Sequence, residues 1–81
     1  MEAKKENENV ALKLSINEAL VLIEWLSEFN KKDNTWLFED QAEERVLFDL
    51  ESSLEQVLSQ TFEGNYLDKL LSARREVRDK E

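Results

Sequence analysis

A mainly α fold is predicted: a short N-terminal β-strand followed by three helices in a small bundle. Three observations predict it. The 81 residues hold no proline and one glycine, Gly64, and so little turn chemistry favours long helices over many short strands. The stretch ALVLIEWLSEF, from Ala19 to Phe29, is apolar at eight positions in eleven. Upstream, VALKLSI alternates strictly between apolar and other residues, which is the signature of a half-buried strand.

Residues 1–9 are polar, charged and aperiodic, so a disordered tail is expected there, ahead of a single small helical domain over 10–79. In the strand, Val10, Leu12, Leu14 and Ile16 point one way and Ala11, Lys13 and Ser15 the other. A lone strand leaves its backbone groups unpaired. Its expected partner is either residues 35–38 or the same strand of a second molecule. Ser15-Ile16-Asn17-Glu18 then reads as a capping box that opens helix 1, over about 16–30. On a helical wheel Ala19, Leu22, Leu26 and Phe29 share one face, widened by Val21 and Trp25 and by Leu20 and Ile23. Only Asn17, Glu24, Glu28 and Lys31 form a polar stripe. A helix apolar nearly all round must be covered on more than one side, so helix 1 is expected at the centre. Lys31 and Lys32 suit its negative end, and Asp33-Asn34 makes the turn.

Thr35-Trp36-Leu37-Phe38 reads as an apolar plug closing one end of the core. Helix 2, over about 39–59, has a buried stripe of Val46, Leu47, Leu50, Leu54, Val57 and Leu58. A connector at 61–64 brings Phe62 back to the core and ends on Gly64, suited to a left-handed turn. Asn65 can cap helix 3, over about 66–79, whose apolar side includes Leu67, Leu70 and Leu71. Leu12 and Leu14 complete the expected core, with Trp25 and Trp36 at its margin.

Composition excludes several kinds of chemistry. There is no Cys, hence no disulfide and no thiolate site. There is no His, the commonest metal ligand and general base. The chain carries −8 overall, which repels nucleic acid at long range. Between residues 39 and 63 stand eight acids (39, 40, 43, 44, 49, 51, 55 and 63) against Arg45 alone. No apolar run is long enough to span a membrane and no signal-peptide pattern stands at the start, so a cytoplasmic protein is expected.

Asp40, Glu44, Phe48, Glu51 and Glu55 fall on one line along helix 2, outside its apolar stripe. An aromatic anchor set among acids fits a surface for a partner protein with a basic face. The bland alternative is a solvated face with Phe48 packed by helix 3 or by the strand. Glu39-Asp40 and Glu43-Glu44 read as acids at a helix start rather than a metal or catalytic pair, and no cofactor is expected. Arg74, Arg75, Arg78 and Lys80 read as a complemented helix end.

VALKLSINEAL followed by two helices resembles the ribbon-helix-helix DNA-binding family over about residues 10–59. The resemblance implies a dimer whose paired strands lie in the major groove, read by Ala11, Lys13 and Ser15. Of these, only Lys13 is a good donor to bases or phosphate, and the surrounding field is negative. LSINEALVLIEWLSEF followed by EDQAEERVLFDLESSLE resembles a group of short acidic bacterial proteins of unknown function over about 12–79. That likeness implies a free-standing bacterial domain and brings no site with it. The sequence thus points to a non-enzymatic interaction module, antitoxin-, immunity- or inhibitor-like, with homodimerisation possible. The contrasting reading is a dimeric DNA-binding regulator.

Overall fold

A computed structural model describes residues 1–59 and 64–79. Among the described residues two strands, β1 (Glu2–Glu6) and β2 (Asn9–Lys13), precede three helices, α1 (Ile16–Lys31), α2 (Gln41–Leu58) and α3 (Tyr66–Arg78), with a 3-10 turn at Thr35–Leu37. The mainly α architecture stands as the sequence predicts. The N-terminus does not. Residues 2–6 are a strand rather than a disordered tail, and they supply the partner that β2 needs. The strands are antiparallel, with Glu2 opposite Lys13, Ala3 opposite Leu12 and Lys5 opposite Val10. Asn7 takes a positive φ of 55° in the two-residue loop, a conformation that Asn tolerates. Neither residues 35–38 nor a second molecule is required to pair β2 on this side.

The hairpin stands clear of the bundle: all ten of its residues are exposed. Leu12, expected in the core, is 50 % exposed. The amine of Met1 lies 3.2 Å from Glu18 Oε2 and holds the hairpin's base against the start of α1. Glu18 has a second duty. Its Oε1 accepts from the Ser15 N–H while Ser15 Oγ accepts from the Glu18 N–H, which completes the capping box.

Helix α1 is central, packing against both α2 and α3. Its Ala19, Ile23 and Leu26 form one cluster with Leu54 and Leu58 of α2, flanked by Leu14, Leu22, Leu47 and Leu50. On the other side α3 brings Leu70 and Ala73, both buried. Ala73 has no exposed surface at all, and its small side chain lets α3 approach closely. Leu67 and Leu71, expected in the core, are 63 % and 46 % exposed. The reason is geometric: α3 has α1 as its chief neighbour, so its buried stripe is narrow and runs through Tyr66, Leu70, Ala73 and Val77. Val46 and Val57, at the edges of the stripe on α2, are likewise exposed.

Caps and turns follow local chemistry. Asp40 caps α2, its carboxylate accepting from the Ala42 N–H at 2.7 Å, so the helix opens two residues later than its acids suggest. The Asn34 side chain donates to the carbonyl of Phe29, and Thr35 Oγ1 donates to Asp33 Oδ1 at 3.0 Å. Gly64 has φ +68° as its place in the connector requires. Asn65 precedes α3 without a side-chain cap bond. The expectation for Phe62 lies outside the described residues.

Leu26 and Leu58 are the largest fully buried side chains. Leu26→Ala is expected to cost about 3 kcal/mol, a cavity at the centre of the cluster, whereas Leu67→Ala on the open side of α3 costs less than about 0.5 kcal/mol. Urea unfolding followed by circular dichroism separates the two.

Candidate protein-binding surface on the second helix

The five residues aligned on α2 divide by what they touch. Asp40 is committed to the cap. Glu51 accepts from Asn30 Nδ2 at 2.7 Å, a bond that fixes α2 against the end of α1. Glu44 is half-buried and Glu55 exposed. Phe48 stays 45 % exposed. Neither α3 nor the strand covers it. With Glu44 it borders a small cleft whose far wall is Phe29, Asn30, Asn34 and Phe38, so one edge of its ring is shielded and the other faces solvent. The line is therefore one surface, with Phe48 flanked by Glu44 on the turn before and by Glu51 and Glu55 on the turns after.

The remaining acids at the start of α2 serve the helix itself. The Glu39 N–H donates to Glu43 Oε1 at 3.0 Å, and Arg45 pairs with Asp49 at 3.4 Å on the exposed side. At the end of α3, Arg78 lies 3.0 Å from Asp79. Arg75 and Arg78 fall in the last turn of that helix, where their charge complements the dipole. Lys80 lies outside the described residues.

The residues singled out for DNA reading are separated in role. Ala11 and Lys13 lie on one face of the hairpin, opposite Lys4 and Glu2. Ser15 belongs to the α1 cap, where its hydroxyl is already engaged.

Two features carry no signal in the local sequence. The first is a groove of about 530 Å³ where α2 and α3 meet over α1, lined by Ile23, Glu24, Ser27, Glu55, Ser59 and Tyr66. In it the Tyr66 hydroxyl donates to Glu24 Oε1 at 2.7 Å. Glu24 stands in the polar stripe of an otherwise apolar helix, the one hint that a polar group packs there. Burial, the hydrogen bond to Glu24 and that carboxylate's charge together push the Tyr66 phenol up to about 12. The second lies beside the 3-10 turn. Thr35–Phe38 does not plug the core: Trp36 is 78 % and Leu37 49 % exposed, and Trp25, expected at the core margin, is 58 % exposed. Trp25 stacks on Phe29 at 4.9 Å between ring centroids, and Phe29 meets Phe38 edge-on at 6.1 Å. Below them a shallow apolar groove of about 530 Å³ is lined by Phe29, Leu37, Phe38, Ala42, Glu43, Val46 and Leu47.

Among the described residues, no helix is long and apolar enough to cross a membrane. No protein-family model, curated protein or solved structure matches the chain.

The chain has one tyrosine, so ultraviolet titration reads Tyr66 alone. Its expected midpoint is near 12, and Glu24→Gln shifts it part-way back toward the ordinary value of about 10. Because the folded value lies above the unfolded one, the stabilisation this phenol provides is present below about pH 10 and is lost as pH rises through about 12.

Proposed function

We propose that the protein is a non-enzymatic interaction module of the antitoxin, immunity-protein or inhibitor kind. On this reading it binds a basic surface of another protein through Glu44, Phe48, Glu51 and Glu55. The observation that carries the reading is the Phe48 ring, left 45 % exposed in the middle of an acidic helix face. An aromatic side chain that is rigid and part-desolvated is the usual anchor of a protein interface. Carboxylates around it speed encounter with a basic partner and reject acidic ones. Asn30 holds Glu51 in place, so part of the face is ordered before any partner arrives.

The test uses a synthetic Lys/Arg-rich peptide with one central leucine, titrated into isotope-labelled protein. Amide shifts are expected along residues 44–55, and Phe48→Ala weakens binding about tenfold. Shifts elsewhere, or an unchanged affinity in the variant, overturn the proposal. Generic duplex DNA is expected to give no retention even at low salt, where any phosphate-binding protein shows its strongest affinity. Retention that falls steeply with added salt would instead favour the DNA-binding reading through Lys13.

A further inference from the structure

We infer that the apolar groove beside the 3-10 turn is a second docking surface, on the Val46 side of α2, and that its occupant is an amphipathic helix of another protein with basic residues along its polar edge. The groove takes its walls from three segments: Phe29 at the end of α1, Leu37 and Phe38 of the turn, and Ala42, Val46 and Leu47 on α2. Phe29 and Phe38 also line the Phe48 cleft, but on α2 Ala42 and Val46 lie across the buried Leu54 stripe from Phe48, so Val46 tells the groove apart from that face. Val46 is 63 % exposed and Leu37 49 %. The stacked Trp25 and Phe29 rings extend the same apolar surface beyond the groove. A continuous apolar surface rimmed by charge is the mark of an interaction site rather than of scattered surface residues.

Charge selects the occupant. The polar lining residue of the groove is Glu43, and its carboxylate is held at the rim by the Glu39 N–H. No Lys or Arg lines the groove among the described residues, while Glu28 and Lys32 flank the Trp25–Phe29 stack beyond it. Glu43, with Glu39 beside it, supplies the acidic excess at this rim; the acids further along α2 belong to the Phe48 face or, at Asp49, pair with Arg45. A second copy of the chain would bring the same excess to the rim and raise the repulsion between two molecules of −8 each. An anionic membrane is repelled for the same reason. A helix with leucines on one side and lysines at the margin offers the groove carbon and the rim cations, the helix-in-groove mode of recognition.

The chain's tryptophans are Trp25 and Trp36, one stacked on a groove wall and one beside Leu37, so their emission reports occupancy. The probe is an 18-residue Leu/Lys peptide with leucines at helical spacing, with a Leu/Glu twin as its control. The Leu/Lys peptide is expected to shift tryptophan emission to the blue with saturation, and the Leu/Glu peptide to bind at least tenfold more weakly. Val46→Glu, at an exposed position that leaves the far-ultraviolet circular dichroism unchanged, should weaken the Leu/Lys peptide at least tenfold. Leu37→Ser serves as a second variant with the same expectation. Phe48→Ala should weaken the Leu/Lys peptide far less than Val46→Glu does.

Equal binding of the two peptides, no shift at all, or binding indifferent to both groove variants overturns the inference. Loss with Phe48→Ala but not with Val46→Glu moves the peptide to the acidic face and likewise overturns it. So does a Val46-dependent shift produced by phosphatidylcholine vesicles and not by the peptide.

Discussion

The structure depends on one requirement, that α1 be covered on more than one side. Its apolar residues point in too many directions for a single neighbour. Helix α2 covers Ile23 and Leu26 with Leu54 and Leu58, and α3 lays Leu70 and Ala73 along the other flank. Neither outer helix needs the other in order to bury its own stripe. The core is therefore two thin layers on adjoining flanks of α1, which converge at the groove beside Ile23 and Tyr66. Thin layers leave broad flanks, which is why Val46, Val57, Leu67 and Leu71 remain exposed although their spacing is that of core residues.

The parts legible in the sequence are those set by neighbours along the chain. The capping box at Ser15 and Glu18, the left-handed Gly64 and the central place of α1 all follow from local pattern. The parts that were not legible depend on distant partners. EAKKE has nothing of a strand in its composition, yet it pairs because β2 offers a ladder and Asn7 turns the chain back. Trp36 and Leu37 depart from the pattern for another reason. Apolarity alone does not dictate burial, and the 3-10 turn places both residues on the outside. The width of a buried stripe likewise reflects how many helices press on it, and periodicity does not supply that number. At the acidic face, the line of five residues was visible in the spacing. The Asn30–Glu51 and Tyr66–Glu24 bonds were not, because they join residues 21 and 42 positions apart.

Charge is partitioned along the same lines as packing. Residues 1–13 hold three basic and three acidic side chains, so the hairpin is neutral as a whole. Helix α3 is basic, with Lys69, Arg74, Arg75 and Arg78 against Asp68 and Glu76. Helix α2 with its cap is strongly acidic, and α1 lies between the two. The two outer helices thus differ in the sign of their net charge on adjoining flanks of α1. An uneven distribution of this kind orients a molecule in the field of an approaching partner.

Internal pairing does little to discharge the acidic side. Arg45 meets Asp49 within the same helix, on a surface where both partners are well exposed, and such pairs contribute little. Asp40 and Glu43 act on backbone N–H groups at the start of α2, where the helix dipole welcomes negative charge. Those roles account for the first turn, to which Glu44 also belongs. Glu51 and Glu55 lie further along, where the dipole gives them no support, and Glu51 has Asn30 as a neighbour that orders it. The dipole does not account for the acids placed beyond its reach beside a half-exposed phenylalanine. On the proposed reading, recognition of a positive surface would relieve that repulsion and cover the ring in the same step.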